Sequence, residues 1–174
     1  QELGERLDLI EKNAFRFCYV NDFPMFEEDE ETGGIGFMHN PFSKPQGGLK
    51  ALEGDPLSVL AWQYDIVCNG EELSSGAVRN NDPAVMERAF EIAGYTAEEV
   101  KSKFGALYTA LKCGTRPHAG MAPGIERILM LLSGETSIRE VVAFPMSASG
   151  QDLMCGAPCE VSEKQFREVH IKLR

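Results

Sequence analysis

Residues 63–79 read QYDIVCNGEELSSGAVR, and this stretch decides the fold class. Two β-prone runs, 63–68 and 72–79, flank Asn69-Gly70, a dipeptide that favours the tight turn of a β-hairpin. Asp82-Pro83 follows and predicts a helix start, with the aspartate as N-cap and the proline at the first helical position. An antiparallel pair that leads into a helix indicates an α+β domain, in which helices flank an antiparallel sheet.

The remaining elements follow from hydrophobic periodicity and from capping and turn signals. We predict an opening helix that stops at Lys12-Asn13, strands at 15–20, 35–39, 119–123 and 141–144, a helix after the capping box Thr96–Glu99, and helices at 124–133 and 163–170. Residues 41–55 are rich in Gly, Pro and Ser and predict a long loop. Loops of that length inside a compact domain are usually functional.

Length and composition exclude several classes of protein. The chain has 174 residues and a formal net charge of −10, from 17 Lys and Arg against 27 Asp and Glu. That length suits one domain with a sizeable core. The longest apolar run, 128–132, is far short of the ~20 residues that a transmembrane helix needs. The absence of a basic patch argues against a simple phosphate-backbone binder. The first residue is Gln1 and no signal-peptide pattern follows, so we expect a piece of a longer protein.

The five cysteines indicate a reducing compartment. Their number is odd, and the chain is long enough to fold without disulfides. Cys155 and Cys159 lie four residues apart, but Gly156 and Pro158 oppose a helix that would align them, and no further Cys pair or nearby His completes a zinc set. We therefore predict buried, reduced thiols rather than a metal site.

Residues 117–127, PHAGMAPGIER, contain the strongest candidate for a ligand site. Small residues recur at 120, 122 and 124, so one face of the predicted strand is nearly bare and open to a flat ligand. Arg127 falls in the first turn of the next helix, where a cation opposes the helix dipole unless an anion binds beside it. Polyphosphate would satisfy both features. The alternative is that Arg127 pairs with Glu126, Glu140 or another carboxylate.

GMAPGIER (120–127) resembles motif 3 of class II aminoacyl-tRNA synthetases, whose glycine-rich strand and helix-opening arginine hold ATP. The wider chain is similar to the C-terminal part of the catalytic domain of bacterial-type aspartyl-tRNA synthetases. The stretches that carry the resemblance are VNDFPMFE (20–27), MHNPFS (38–43), QYDIVCNGEELSSGAVR (63–79), KCGTRPHAGMAPGIERILMLL (112–132) and IREVVAFPM (138–146). It implies that 15–174 belong to that catalytic fold and that 1–14 end an insertion domain or connecting helix.

The resemblance also implies roles for single residues. Glu72 corresponds to the carboxylate that contacts ATP and its Mg²⁺, Arg79 to the arginine that grips the side-chain carboxylate of substrate aspartate, and His39 to a histidine beside the amino acid. Arginine suits that grip because its planar fork meets a carboxylate bidentately. The ATP contacts at motif 3 correspond to Gly124, Ile125, Glu126 and Arg127, with the arginine on the terminal phosphate.

The implied activity is that of a cytoplasmic aspartate–tRNA ligase, not associated with a membrane, whose partners are L-aspartate, ATP with Mg²⁺, and tRNA(Asp). Aspartate would be activated to aspartyl-adenylate and then transferred to the 3′ end of the tRNA. The full-length protein would be a homodimer. Motifs 1 and 2 of the family do not occur in these 174 residues, so we expect the isolated chain to be inactive. The alternatives are a sister synthetase for asparagine or lysine, a non-catalytic synthetase-like binding module, and a structural or interaction domain.

Two departures from the family and one geometric problem accompany this interpretation. The family commonly has a second histidine where this chain has Asn40, and glycines where it has Ser74-Ser75. Glu72 and Arg79 are seven positions apart, so a regular strand would place their side chains on opposite faces. If both serve one site, the strand must bulge, and we predict the irregularity at 74–76.

Overall fold

The structure, a computed structural model, describes residues 2–11, 13–30 and 33–172. The elements, in chain order, are α1 (Glu2–Arg6), β1 (Phe17–Pro24), β2 (Phe26–Glu28), β3 (Ile35–Phe37), β4 (Leu60–Cys68), β5 (Glu71–Val78), α2 (Pro83–Ile92), α3 (Ala97–Lys112), β6 (Ala119–Pro123), α4 (Ile125–Ser133) and α5 (Glu163–Glu168). The chain forms two compact units, the first ending at Ile125 and the second beginning at Glu126.

An antiparallel sheet dominates the first unit. Among the described residues its strand order is β1-β4-β5-β6, while β2 and β3 form a separate two-stranded pair. The predicted hairpin is confirmed, because β4 and β5 pair across the turn at Asn69-Gly70. Both turn residues have positive φ, 52° and 87°, as a type I′ turn requires. The predicted strand at 119–123 is also confirmed and pairs with β5.

Helices α2 and α3 begin where the capping signals place them. The Asp82 side chain accepts a hydrogen bond from the Ala84 backbone N–H at 2.8 Å, with Pro83 at the first position. Thr96 and Glu99 form the predicted capping box. The backbone hydrogen bond that Thr96 donates holds the pKa of Glu99 below its usual value. The fold class is therefore confirmed: helices flank an antiparallel sheet.

Helix α2 positions the sheet's loops by contributing to two buried clusters. Val85 and Ala89 pack into one, which also contains Met25, Phe26, Leu52, Val59 and Ala61. Met86 and Phe90 pack into the other, together with Val100, Tyr108 and Leu111 of α3. The loop at 41–55 is irregular except for a 3₁₀ turn at Gly48–Glu53, whose Leu52 is fully buried in the first cluster. This burial holds a long loop in a defined path.

Some predictions are wrong or differ in extent. The strand predicted at 141–144 is wrong: these residues form an irregular segment with a bend after a short 3₁₀ helix (Ile138–Glu140), and no strand partner for them exists among the described residues. Four of the five cysteines are exposed and only Cys68 is buried, so the expected burial of the thiols is wrong. The strand predicted at 15–20 spans Phe17–Pro24, and the final helix ends at Glu168. The opening helix ends at Arg6, earlier than the predicted stop at Lys12-Asn13, of which Lys12 lies outside the described residues.

None of the helices in the described part of the chain has the length and apolar character needed to cross a membrane.

Candidate functional site

The hairpin that decides the fold also carries a β-bulge. Ser74 pairs with Ile66, whereas Glu72 pairs with Val67, so Leu73 is the extra residue of β5. A bulge of one residue shifts the alternation of side chains, which puts Glu72 on the same face as Ser75 and Arg79. The predicted irregularity between Glu72 and Arg79 is confirmed, one position before the predicted place.

That face forms the wall of a pocket of about 580 Å³, an ordinary size for a small-molecule site. Three residues singled out from the sequence, His39, Glu72 and Arg79, line it together. The other lining residues are Phe23, Asn40, Pro41, Phe42, Gln63, Asp65 and Ser75. Sequence reasoning thus identified three side chains that the fold brings to one cavity, although they come from a loop and from the two ends of a strand.

Arg79 directly follows the last residue of β5, and its backbone is held by segments on both sides. Its backbone N–H donates to His118 O at 2.9 Å, and the residue forms an antiparallel bridge with Ser43. Its guanidinium Nη1 donates to the Asn40 side-chain oxygen at 3.2 Å. No ion pair with a carboxylate is formed by Arg79 within the described ranges. The pocket therefore presents an anchored, half-buried cation.

His39 lines the pocket and contacts an aromatic ring. The ring centroids of His39 and Phe23 are 5.1 Å apart and their planes meet at 84°, an edge-to-face contact. Such a contact orients the imidazole without consuming a hydrogen bond. Both rings line the pocket that contains Arg79.

Asp65 is a candidate that sequence reasoning missed. It lies on β4 opposite Ser75, and Val67, two residues further along, lies opposite Glu72. Asp65 and Glu72 are therefore diagonal neighbours on the pocket face, and both line the cavity. The hairpin turn at Asn69-Gly70 implies that Val67 pairs with Glu72, but the pairing of Asp65 with Ser75 follows only from the bulge at Leu73. Two carboxylates on one wall suit a hard cation such as Mg²⁺, and no cluster of three or more potential metal ligands occurs in the described parts of the chain.

Gln63 is a second residue that the sequence did not single out. It is 9% exposed, and its Nε2 finds no hydrogen-bond acceptor within the described residues. A buried amide without a partner costs about 1–3 kcal/mol, so native proteins rarely retain one without a reason. Gln63 lines the pocket opposite Ala77 of β5, and its polar side chain fits a site for a ligand rich in oxygen.

A second cavity, of about 370 Å³, continues the first across β5 and β6. The two share Asn40, Gln63, Ser75 and Arg79. Ala77 and Gly120 pair across its floor, as do Ser75 and Ala122. Gly120 and Ala122 therefore leave this strand face bare, as predicted, whereas Gly124 lies beyond the end of β6. The floor can accept a flat group.

The start of the motif GMAPGIER is attached to the bulge. Gly124 N–H donates to Leu73 O at 2.8 Å, next to Glu72 in the chain. Ile125 then opens α4, and Glu126 and Arg127 lie in its first turn within the second unit. Arg127 is exposed. The roles of residues 124–127 in binding phosphate remain predictions.

Comparisons with known proteins match this arrangement. A family model described as tRNA synthetases class II (D, K and N) matches residues 2–148. An aspartate–tRNA ligase from Streptomyces coelicolor is 58% identical over 174 residues, which cover 99% of this chain and 30% of that protein. An aspartate–tRNA(Asp/Asn) ligase from Erythrobacter litoralis is 59% identical over 171 residues, which cover 98% of this chain and 28% of that protein.

Solved structures support the same fold. An aspartyl-tRNA synthetase from Entamoeba histolytica aligns with a TM-score of 0.58 and 27% identity, over 87% of this chain and 26% of that one. An asparaginyl-tRNA synthetase from Pyrococcus horikoshii aligns with a TM-score of 0.55 and 19% identity, over 77% of this chain and 27% of that one, and shows the fold alone. The chain spans about 30% of the length of the curated relatives it matches.

Proposed function

Because the chain belongs to the family of class II tRNA synthetases for D, K and N, we propose that it forms part of the catalytic centre of an aspartate–tRNA ligase. The observation that carries the proposal is the bulge at Leu73, which brings Glu72 and Arg79 to one pocket wall with His39. A regular strand would have separated the two charges. The guanidinium of Arg79 can bind the carboxylate of an acidic amino acid, and the carboxylate of Glu72 can bind a metal ion. The two together suit an acidic amino acid bound beside a metal-complexed phosphate.

Arg79 selects the amino acid in this proposal. Its guanidinium offers planar paired donors that match a carboxylate, and the described residues provide no carboxylate partner for it. Aspartate satisfies that cation, asparagine offers no charge, and lysine would be repelled. His39, oriented by Phe23, lies at the same pocket and would contact the bound amino acid.

ATP occupies the adjoining cavity in this proposal. The bare floor of β5 and β6 fits a flat base. The resemblance assigns the contacts with the phosphates to Gly124, Ile125, Glu126 and Arg127, at the start of α4. Glu72 and Asp65 would hold Mg²⁺ through carboxylate oxygens, the ligands that this ion prefers. The metal supplies positive charge that offsets the negative charge of the triphosphate.

The chemistry needs no side-chain nucleophile. An oxygen of the aspartate α-carboxylate bonds to the α-phosphorus of ATP. The bond between the α-phosphorus and the oxygen that bridges it to the β-phosphorus breaks, and pyrophosphate leaves with that oxygen. A ribose hydroxyl at the tRNA 3′ end then takes the aspartyl group, and AMP leaves. Arg79 contributes by fixing the amino acid, Arg127 by neutralising phosphate charge, and the pocket walls by orientation.

The remaining parts of the proposal concern the whole protein. The acceptor is tRNA(Asp), the full-length protein is a homodimer, and the compartment is the cytoplasm. Exposed thiols without disulfides are compatible with a reducing compartment. Residues 1–14 end an insertion domain or connecting helix, and 15–174 belong to the catalytic domain.

Isothermal titration of the full-length protein with aspartate, asparagine and lysine, each with and without ATP–Mg²⁺, tests the proposal. We expect aspartate to bind more tightly than the other two. Preferential binding of asparagine or lysine would replace the proposal by the corresponding sister enzyme. Absence of binding by all three would favour a non-catalytic module.

The 174-residue chain alone should not charge tRNA, because it spans about 30% of its relatives and the family resemblance implies that motifs 1 and 2 lie outside these residues. Incorporation of labelled aspartate into acid-precipitable tRNA measures this. The full-length protein, assayed in parallel, is the positive control. Charging by the chain alone would contradict the prediction.

Replacing Glu72 with glutamine should raise the Mg²⁺ concentration required for ATP binding by about 10- to 100-fold, since the amide removes a charged ligand. Titration of ATP at a series of Mg²⁺ concentrations measures the change. Glu71→Gln is the matched control, because Glu71 is adjacent in β5, carries the same charge and does not line the pocket. Equal Mg²⁺ dependence in the two variants would remove Glu72 from the metal site.

A further inference from the structure

Asn40 contacts the guanidinium of Arg79, the group that selects the substrate in the proposed function. Its side-chain oxygen accepts one hydrogen bond from Arg79 Nη1 at 3.2 Å and another from the Phe42 backbone N–H at 2.9 Å. Asn40 lines both the 580 Å³ cavity and the adjoining one. It also occupies the position where the family resemblance would place a second histidine.

The loop around Asn40 fixes the place of that oxygen. The bond from the Phe42 N–H closes an Asx turn, and the Ser43 N–H donates to Asn40 O at 3.2 Å, which closes a β-turn with Pro41 at its second position. Ser43 is fully buried and bridges Arg79. The backbone bridge between Ser43 and Arg79 holds the loop against the end of β5. The position of the Asn40 side-chain oxygen relative to the guanidinium is therefore fixed.

The chemistry of the amide matters as much as its position. An asparagine oxygen accepts a hydrogen bond but carries no charge, so the contact with Asn40 leaves the charge of Arg79 unpaired, and Arg79 forms no ion pair within the described residues. A carboxylate at the same position would accept the same two hydrogen bonds more strongly. It would also pair with the guanidinium and compete with a ligand carboxylate.

We infer that Asn40 is a specificity-determining positioning residue: it orients Arg79 through a neutral hydrogen bond and so reserves the positive charge for the carboxylate of an acidic amino acid. This inference rests on the proposed function, because it assigns Arg79 to the substrate. Asn40 acts through Arg79, and its effect is the selection of aspartate over the uncharged asparagine.

The test is isothermal titration of the full-length protein and its Asn40→Asp and Asn40→Ala variants with aspartate, asparagine and ATP–Mg²⁺. A merely structural role and the inferred role predict opposite orders. If Asn40 only supports the loop, aspartate at this position preserves both hydrogen bonds and should bind substrate better than alanine does. If Asn40 acts by leaving Arg79 without an ion-pair partner, the aspartate variant should bind substrate worse than the alanine variant.

We expect Asn40→Asp to weaken aspartate binding by about tenfold or more and to lower the preference for aspartate over asparagine by a similar factor. ATP–Mg²⁺ affinity should fall by a clearly smaller factor, because Asn40 also lines the adjoining cavity. Asn21→Asp is the matched control: it adds the same charge at an exposed position of β1 that lines neither cavity. It should bind all ligands as the unchanged protein does.

Two results would overturn the inference while leaving the proposed function intact. One is an Asn40→Asp variant that binds aspartate as tightly as the alanine variant or more tightly. The other is a parallel loss of aspartate and ATP binding in both variants, which would indicate a role in the loop alone. If the unchanged protein fails to bind aspartate, the proposed function itself fails.

Discussion

Replacing Arg79 with leucine should abolish measurable aspartate binding. ATP–Mg²⁺ affinity should fall by a much smaller factor, because Arg79 also lines the adjoining cavity. Leucine retains the apolar stem but removes the donors that pair with the substrate carboxylate, and the ligand would have to bury its charge without a partner. Loss of one member of such a pair costs about 2–5 kcal/mol, which corresponds to roughly 30- to 4,000-fold in affinity. Isothermal titration of the full-length protein with each ligand measures the two affinities separately.

Two companion variants make the Arg79 result specific. Arg16→Leu removes the same charge from an exposed site that lines none of the pockets described above, and should bind aspartate normally. Arg79→Lys retains the charge but loses the planar fork, so its affinity should fall between those of the leucine variant and the unchanged protein. The Asn40 oxygen still accepts from the Phe42 N–H in both Arg79 variants, so the loop keeps its turn. Aspartate affinity in the leucine variant equal to that of Arg16→Leu would refute the role of Arg79.

Replacing Gly76 with alanine should strongly destabilise the sheet. A Cβ at this position would lie 2.5 Å from Tyr64 Cε2 and 2.6 Å from Gly120 O. The Tyr64 hydroxyl also donates to Gly120 O at 3.0 Å, so the ring crosses over Gly76 from β4 to β6 and cannot move freely. Overpacking usually lowers the free energy of unfolding by up to about 3 kcal/mol. We expect a loss near that upper limit, because one of the clashes is with a backbone oxygen. Urea unfolding followed by circular dichroism measures the free energy of unfolding.

Gly120→Ala provides the comparison for Gly76. Gly120 lies in the neighbouring strand, and a Cβ there would meet no atom within 4 Å. This variant should change the free energy of unfolding by less than about 1 kcal/mol. Similar midpoints for the two variants would show that β5 and β6 can separate to admit a side chain, and the account of the close approach at Gly76 would then be wrong.

Features that depend on neighbouring residues could be predicted from the sequence. The hairpin turn at Asn69-Gly70, the N-cap at Asp82 and the capping box at Thr96–Glu99 all appear as expected, because each is stabilised by hydrogen bonds or dihedral preferences within a few residues. The need for a bulge in β5 was also predictable, because it follows from strand alternation once two positions are assigned to one face.

Features that depend on a distant partner could not be read from composition or periodicity. Residues 141–144 are β-prone but find no strand to pair with in the described part of the chain, and an unpaired strand has no hydrogen bonds to stabilise it. The exposure of Cys18 depends likewise on which face of its strand is covered. Asp65 and Gln63 were missed because only strand pairing shows that they share a wall with Glu72.

The sequence by itself determined the order of the elements, the ends of several of them and the family, since these depend on local preferences and on contiguous motifs. Only the tertiary structure decided that the extra residue of β5 is Leu73 and that Asn40 reaches Arg79, 39 positions away. The physical reason is that the bulge depends on how β5 pairs with its neighbouring strands, and the Asn40–Arg79 hydrogen bond depends on how the loop packs against β5. Both involve residues that are distant in the chain. The pocket belongs to the folded sheet and to no single stretch of the chain.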